Sequence, residues 1–295
     1  MLRLVQIISV INQKGGVGKT TACANIGAAI ASSGHRVFLF DLDPQAHLSI
    51  SLDRLPEPGE PSVYSLLSGV HSLDEVIQPT NQENLWIAPT NLDLTGAEME
   101  FAAEIGRETL LQAAIEKFSR KHQTPDLIIF DCPPALGLLS LNALVASNHV
   151  IIPLQAEFFA LQGMAQLLDV IERVKRRLNP GLSLLGILVS MFQKQRNLSR
   201  EVLEELDKHF PGVVFDTKVR VNVRLAEAPS HGQTIYQYAP ESVGAQDFAA
   251  VAKEFVSRLG LKTVEDVVAD METEKADVKD DPNEVAEPGR ELEIG

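Results

Sequence analysis

The sequence predicts an α/β protein with a mostly parallel, twisted sheet flanked by helices on both faces. Short β-branched apolar runs alternate with helical segments along the chain, which implies right-handed crossover connections. Hydrophobic residues make up 45% of the 295 residues but aromatic residues only 5%, so aliphatic side chains supply most of the core. A glycine-rich turn joins the first apolar run to the first helical segment.

Each predicted strand is a short apolar run that is typical of a strand buried on both faces. We predict strands at residues 5–12, 37–41, 126–131, 150–154 and 182–189, with a further short strand at 212–215.

The predicted helices fill the segments between these strands. Gly34 ends the first of them, and Ser199 is a candidate N-cap. Pro133 and Pro134 prevent a regular helix directly after the strand at 126–131. We predict helices at residues 20–33, 63–67, 73–77, 109–118, 138–146, 161–178, 199–209 and 242–259, and a loop at 51–61.

Composition divides the chain into a folded domain at residues 1–260 and an acidic tail at residues 261–295. Within that tail, residues 264–295 hold twelve acidic and three basic residues and little apolar periodicity, so we expect disorder there. The overall charge is −14. The segment 173–224 nevertheless holds eleven bases and five acids, which leaves room for a local basic face.

Several classes of protein are disfavoured by composition. No run reaches the roughly 18 uncharged apolar residues that a membrane span needs, and the N-terminus lacks the pattern of a secretory signal. The two cysteines, Cys23 and Cys132, form neither a disulfide framework nor a metal-site spacing. We expect a reduced, cytoplasmic protein.

A phosphate-binding loop is predicted between the first strand and the first helix. Glycines allow a tight turn whose backbone N–H groups point at phosphate oxygens, and the helix N-terminus adds its positive dipole end. Lys19 is expected to reach the β- and γ-phosphates and the Thr20 hydroxyl to bind Mg²⁺, while Thr21 is expected to donate to the α-phosphate. The nucleotide-binding candidates here are Lys14, Gly15, Gly16, Val17, Gly18, Lys19, Thr20 and Thr21.

The loop departs from the general pattern at its start. Gln13 stands where the G-x-x-x-x-G-K-[ST] pattern has glycine, and a second lysine, Lys14, follows it. Two lysines place more positive charge in the loop than one nucleotide in one subunit requires.

Five short segments stand out in order along the chain. They are Lys14-Gly15-Gly16-Val17-Gly18-Lys19-Thr20-Thr21, Asp41-Leu42-Asp43-Pro44-Gln45, Asp131-Cys132-Pro133-Pro134 with Gly137-Leu138-Leu139, Phe158-Phe159-Ala160-Leu161-Gln162-Gly163, and Glu227-Ala228-Pro229-Ser230-His231-Gly232. Taken together, these segments resemble the ParA/Soj partitioning branch of the ParA/MinD superfamily of ATPases, whose phosphate loop is a deviant Walker A motif. The resemblance runs from about residue 5 to about residue 259 and rests on the set, since no single short motif is this specific.

The resemblance implies a P-loop ATPase that uses ATP and Mg²⁺ and dimerises with ATP. Lys14 would reach the partner's phosphates across a nucleotide-sandwich dimer, stabilising charge on the transferring phosphoryl group. Asp43 matches the carboxylate that positions the attacking water, Asp41 would support the Mg²⁺ shell, and Asp131 matches the Walker B aspartate. The predicted catalytic residues are therefore Lys14, Lys19 and Asp43. We expect intrinsic hydrolysis to be slow. The resemblance places adenine contacts at Met191, Phe192 and Asn222, although core packing explains Met191 and Phe192 equally well.

The resemblance also implies a surface and a partner. The ATP dimer would bind DNA non-specifically, and a ParB-like centromere-binding protein would stimulate hydrolysis, so the protein would be associated with the nucleoid. No membrane partner is expected, because the chain ends in an acidic tail where MinD-like relatives end in a basic amphipathic helix. The DNA-binding candidates are Lys194, Arg196, Arg200, Lys218, Arg220 and Arg224.

Two departures affect the DNA surface. The relatives read like GRTNLS and PRNVR, whereas residues 194–199 and 220–224 shift the arginine by one position each time. An ordinary solvated basic face therefore stays an alternative for these residues.

Other functions remain open at this point. A positioning ATPase for a non-DNA cargo, such as polar or flagellar machinery, would use the same chemistry. An iron–sulfur reductase ATPase is disfavoured by the positions of Cys23 and Cys132, and a tyrosine kinase of this loop type by the small number of tyrosines, three in the whole chain.

Overall fold

A seven-stranded sheet forms the centre of this computed structural model, which describes residues 5–157 and 160–261. Its spatial order is β3-β4-β2-β5-β1-β6-β7, and every pairing is parallel except that between β3 and β4. The predicted acidic tail from residue 262 onward lies outside the described residues, as do Phe158 and Phe159. The strands are β1 (Gln6–Val10), β2 (Val37–Asp41), β3 (Gln78–Pro79), β4 (Leu85–Ala88), β5 (Leu127–Asp131), β6 (His149–Gln155) and β7 (Ser183–Ser190).

The register of the central strands brings acidic side chains to one edge of the sheet. Asp41 at the end of β2 and Val10 at the end of β1 both pair with Asp131 at the end of β5. Because these strands are parallel, the loops that follow all three leave from the same edge. Ligands of open α/β sheets bind at that carboxyl edge.

Helices cover the sheet between its strands. The connection from β1 to β2 crosses the sheet toward β3, whereas the connection from β5 to β6 crosses it toward β7. Because both crossovers are right-handed, their helices lie on opposite faces of the sheet. The helices are α1 (Lys19–Ser32), α2 (His47–Ser51), α3 (Val63–Leu67), α4 (Leu73–Val76), α5 (Ala97–Glu100), α6 (Leu110–Ser119), α7 (Leu138–Ala146), α8 (Ala160–Arg177), α9 (Asn197–His209), α10 (Val223–Glu227), α11 (Ile235–Tyr238) and α12 (Val243–Leu259).

The core lies along β2 and β5, whose residues are all buried. Phe40 and Phe130 meet edge to face with ring centroids 5.3 Å apart. Burial on both faces explains why these strands read as continuous apolar runs without alternation. The predicted α/β class with a mostly parallel sheet is confirmed.

Three local predictions were wrong. Residues 212–215 contribute a single bridge between Val214 and Ile187, and they form no strand. The strand β4 lies in a stretch for which only helical pieces were predicted, since four residues are too few for a periodicity to show. The helix α9 begins at Asn197, so Ser199 is a buried first-turn residue and does not cap the helix.

No helix among the described residues is both long and apolar enough to cross a bilayer.

Substitution of Gly186 tests the packing of the edge strand β7. A β-carbon at this position would lie 2.9 Å from the Val213 carbonyl oxygen and would overlap the Phe215 ring. We expect Gly186→Ala to lower the free energy of unfolding by about 1–3 kcal/mol, since overpacking forces the backbone to move. Urea denaturation measures this loss.

Gly163→Ala is the matched control. No atom of the described residues lies within 4 Å of a β-carbon built on Gly163 inside α8, so we expect a gain of up to about 1 kcal/mol from helix propensity. Equal stabilities of the two variants would contradict the packing argument.

Candidate nucleotide-binding site

The loop between β1 and α1 has the backbone of a phosphate cradle. Gly16 and Gly18 adopt left-handed conformations with φ of 71° and 86°, which a side chain would strain. A β-carbon on Gly15 or Gly16 would meet no atom within 4 Å among the residues that the structure describes, so the backbone there is open to a ligand.

A cavity of about 490 Å³ lies against this loop and the carboxyl edge of the sheet. Lys19 is only 7% exposed, and its ammonium lies 3.5 Å from the Lys14 carbonyl oxygen. The cavity is lined by Gly15, Gly16, Gly18, Lys19, Thr20, Thr21, Asp43, Gln45, His47, Ile50, Ser51, Pro134, Met191 and Pro229. Most of the predicted phosphate loop and the predicted water-positioning carboxylate therefore share one cavity.

Thr20 and Asp131 form the centre of the predicted magnesium site. The Thr20 hydroxyl donates to Asp131 Oδ2 at 2.6 Å. The second oxygen, Asp131 Oδ1, is buried and has no hydrogen-bond partner among the described residues, a condition that is costly for a buried acceptor. Burial raises the pKa of the Asp131 carboxyl, because the charged form loses its hydration.

These groups fit a hydrated Mg²⁺ ion. The Thr20 hydroxyl is an oxygen ligand of the kind Mg²⁺ prefers, and the unpartnered Asp131 oxygen is ready to accept from a metal-bound water. The positive charge of the ion would also offset the burial of the carboxylate.

Asp41 occupies a more internal position than the sequence predicts for a metal-site residue. It is fully buried, and Oδ2 accepts from the Ser49 backbone N–H at 2.8 Å and from the Ser49 hydroxyl at 2.7 Å. Oδ1 accepts from the Asp43 N–H at 3.3 Å. Burial and the nearby charge of Asp131 raise the pKa of Asp41. Its geometry suits a residue that positions the Asp43 backbone and acts on the site through it.

Ser49 and Thr90 extend this network and were missed by sequence reasoning. The Ser49 hydroxyl, which donates to Asp41, also accepts from the Thr90 N–H at 2.9 Å. The Asp43 loop is thereby tied to the residues that follow β4. No local signal marks a lone serine in a short helix as such a link.

Lys14 lies outside the cavity that contains Lys19. Its ammonium forms an ion pair with Glu157, which follows β6, and its side chain is 51% exposed. Gln155, two residues before Glu157, donates to the Gly16 carbonyl at 3.0 Å. Sequence reasoning missed both partners, because they approach the loop from a strand that is distant in sequence.

The three residues that were predicted to contact adenine lie in different environments. Met191 lines the cavity with a left-handed φ of 50°, and its sulfur accepts from the Gln155 amide. Phe192 packs against the core, and Asn222 accepts from the Arg224 N–H to cap α10. Neither of these two residues lines the cavity, so their contact with a base stays a prediction.

The predicted DNA-binding residues fall into two groups. Lys194 and Arg196 precede α9, and Arg200 lies in its first turn. None of the three has an acidic partner among the residues described.

The residues of the second group form hydrogen bonds and ion pairs with other residues of the chain. Arg220 Nε lies 3.0 Å from both oxygens of Asp247, a carboxylate that is nearly buried, and Arg224 pairs with Glu227 at 2.9 Å. Lys218 donates to the carbonyl of Phe215 at 2.9 Å. These contacts leave the second group less available to an external phosphate than the first.

Comparison with known proteins identifies relatives of this chain. A family model described as an AAA domain matches residues 5–184. The chain is 43% identical over 249 residues to the sporulation initiation inhibitor protein Soj of Bacillus subtilis, covering 84% of this chain and 97% of that protein. It is 41% identical over 253 residues to the chromosome partitioning protein ParA of Myxococcus xanthus, covering 86% and 88%.

Among solved structures, one similar protein is described as cobyrinic acid a,c-diamide synthase from Mycobacterium smegmatis with bound ADP and magnesium. It is 35% identical, with a TM-score of 0.73, and the match covers 85% of this chain and 93% of that one. The identity to these relatives over most of the chain shows that it belongs to the ParA/Soj family of partitioning ATPases.

Proposed function

We propose that this protein is an ATP-dependent dimerising switch for chromosome or plasmid segregation. In this proposal the ATP-bound dimer binds DNA non-specifically, and a ParB-like centromere-binding protein stimulates hydrolysis and release. The observation that carries it is the separation of the two loop lysines. Lys19 lies inside the cavity, whereas Lys14 is half exposed at its outer rim and directed toward Glu157.

The position of Lys14 supports a role in a second subunit. A lysine that serves the nucleotide of its own chain is expected inside the cavity, as Lys19 is. A half-exposed ammonium at the rim is free to reach a facing protomer once its pair with Glu157 opens. Such an exposed pair is worth only about 0–1 kcal/mol, so bound phosphates compete with it readily.

ATP and Mg²⁺ are the cofactors of this ATPase, and the chain offers a distinct group for each task. Mg²⁺, when bound at Thr20 and Asp131, would neutralise charge on the phosphates. The N–H groups of the loop and Lys19 hold the phosphates in place, and Asp43 orients a water molecule at the cavity wall. Asp41 keeps the Asp43 backbone in position through its hydrogen bond.

Slow intrinsic hydrolysis follows from this inventory. Asp43 is the one carboxylate and His47 the one histidine among the described residues that line the cavity. In this proposal Asp43 only orients the attacking water, and neither side chain acts as a strong general base. A partner that improves the position of the water would then control the rate, which suits a switch.

We further propose that residues 1–260 are the ATPase domain, that residues 261–295 are a separate acidic tail, and that the protein works in the cytoplasm on the nucleoid.

A second candidate is a positioning ATPase of the same family for a cargo other than DNA. The observation that favours it is the engagement of Arg220 and Arg224 with Asp247 and Glu227, which reduces the basic surface. DNA co-sedimentation with ATP, with ADP and without nucleotide, over a salt series, distinguishes the two. Binding that requires ATP and weakens with salt supports segregation, whereas no binding supports the second candidate.

Lys14→Ala tests the exchange between subunits. We expect this variant to bind ATP nearly as well as the wild type but to lose ATP-dependent dimerisation and hydrolysis, since each site lacks the charge from its neighbour. Light scattering and sedimentation velocity measure the dimer. Lys121→Ala, on a surface away from the loop, is the control, and a dimer that persists in Lys14→Ala would overturn the proposal.

Asp43→Ala separates assembly from chemistry. The variant keeps the phosphate loop and the pair of Thr20 and Asp131, so we expect it to dimerise with ATP. Its hydrolysis should fall by about a hundredfold, because the attacking water is no longer oriented. Single-turnover assays check the rate. An unchanged rate would remove Asp43 from catalysis.

Charge reversal separates the two groups of basic residues. We expect Arg196→Glu and Arg200→Glu to weaken DNA binding and to lower the salt slope by about one each, as loss of a phosphate contact does. Arg220→Glu should instead lower the urea midpoint, because it leaves Asp247 without its partner. Normal DNA binding by both Arg196→Glu and Arg200→Glu would exclude the start of α9 as the DNA surface.

A further inference from the structure

A second cavity of about 510 Å³, the α4–α6 cavity, lies between α4 and α6. Its lining comes from these two helices, from α3 and from the chain that joins α3 to α4. The volume falls within the roughly 300–1,000 Å³ of pockets that bind small molecules. The α4–α6 cavity has no lining residue in common with the nucleotide cavity, so the proposed function leaves it without a role.

The floor of the α4–α6 cavity is apolar and belongs to the core. Leu66, Leu73 and Phe118 line it and are at most 8% exposed. Phe118 also meets Phe38 of β2 edge to face, with ring centroids 5.8 Å apart. Val70 lies at the rim and is exposed. The apolar part of a ligand would therefore rest on side chains that packing already holds in place, which lowers the entropic cost of binding.

Two lysines bring positive charge to this cavity. Lys117 lies in the last turn of α6 and Lys121 follows that helix, and both line the cavity. Neither ammonium forms an ion pair within the part of the chain that the structure describes. Both charges are therefore available to an anionic group, with which an ammonium forms strong hydrogen bonds.

The two carboxylates that line the cavity come from α4 and already have partners. Glu75 accepts from the Ser72 N–H at 2.8 Å and from the Ser72 hydroxyl at 2.6 Å. These hydrogen bonds lower the pKa of Glu75, because they stabilise its charged form. Asp74 Oδ1 lies 3.8 Å from His122 Nε2. An anionic group in the cavity is thereby directed away from α4 and toward the lysines on the α6 side.

His71 adds an unmet hydrogen bond to the wall of the same cavity. Its Nδ1 atom is buried and has no hydrogen-bond partner among the described residues. A buried polar atom in this condition is costly in a folded protein. An oxygen atom of a bound anion would accept from Nδ1–H after rotation of the ring, and would remove that cost.

We propose that the α4–α6 cavity binds a small organic anion, in which an apolar or aromatic body carries a carboxylate or phosphate head group. The body would cover Phe118 and Val70, and the head group would lie between Lys117 and Lys121. This inference goes beyond the proposed function and does not depend on it, because the nucleotide site is lined by other residues.

Other occupants fit this cavity less well. DNA would offer phosphates to the lysines but no apolar group to the floor. A neutral apolar molecule would cover the floor and leave both lysines without a partner. A second copy of this chain would insert Val70, the exposed apolar side chain at the rim, and a valine is too small to fill 510 Å³.

The test uses the full-length protein and anilinonaphthalene sulfonate, an aromatic anion whose fluorescence rises in an apolar site. The probe is titrated without nucleotide and with saturating ADP and Mg²⁺. Decanoate, decyl phosphate and decyltrimethylammonium then compete with it below their micellar concentrations. We expect both anions to displace the probe, the more potent one identifying the head group. The cation of equal chain length should be weaker by about tenfold or more, since like charges oppose its binding.

Two variants remove the charge and the space separately. Lys117→Glu with Lys121→Glu reverses the charge of the wall, and Ala113→Trp places an indole ring in the cavity from an exposed position of α6. We expect each to weaken probe binding by about tenfold or more, as loss of a charge-assisted contact or of the bound volume does. All three positions are exposed, so the urea midpoints should stay close to that of the wild type.

Matched controls make the same changes elsewhere. Lys175→Glu with Arg176→Glu alters the net charge equally in the last turn of α8, and Ala249→Trp adds the same ring at an exposed position of α12. None of these positions lines the α4–α6 cavity. We expect the controls to bind the probe as the wild type does. An equal loss in the controls would show that overall charge or surface hydrophobicity governs binding, and it would overturn the inference.

Three further results would also overturn the inference. Loss of probe binding on addition of ADP would place the probe in the nucleotide cavity. Equal displacement by decyltrimethylammonium would show that the site selects apolar bodies without regard to charge. Self-association of the nucleotide-free protein that Ala113→Trp abolishes would assign the cavity to a second copy of this chain. Failure of the wild type to dimerise with ATP would instead contradict only the proposed function.

Discussion

The hydrogen bond from the Thr20 hydroxyl to Asp131 is the contact on which the site depends. It joins the first turn of α1 to the end of β5 at 2.6 Å, and thereby fixes the phosphate loop against the carboxyl edge of the sheet. The same pair leaves one buried carboxylate oxygen, Asp131 Oδ1, without a hydrogen-bond partner in the part of the chain that the structure describes. An unsatisfied buried acceptor is costly in a folded protein, and a hydrated divalent cation relieves that cost.

A second layer of polar contacts holds the loop that contains Asp43. Asp41 binds Ser49 and the Asp43 backbone, and Ser49 binds Thr90 beyond the neighbouring strand. A fully connected buried network of this kind rigidifies what it joins. The carboxylate proposed to orient water therefore rests on the sheet itself, although it lies in a loop.

The two loop lysines lie in different environments, as the proposed action on two subunits requires. The Lys19 ammonium lies 3.5 Å from the Lys14 carbonyl oxygen inside the loop, whereas the ion pair with Glu157 holds the Lys14 side chain at the rim of the cavity. Glu157 follows β6, and β6 lies beside β1 in the sheet. The contact that restrains Lys14 in the single chain thus arises from strand order and has no counterpart in the motif.

The sequence by itself determined the α/β class, the glycine-rich loop and the three strand-end carboxylates, because glycine conformation, apolar runs and the alternation of strands with helices are read from short stretches of sequence. It missed β4, whose four residues carry no readable period, and it misassigned residues 212–215 and Ser199. Only the tertiary structure decided that Asp41 is internal, that Glu157 restrains Lys14 and that Asp247 engages Arg220. Each of these depends on segments far apart in the chain, and their proximity is set by how the sheet and its helices pack.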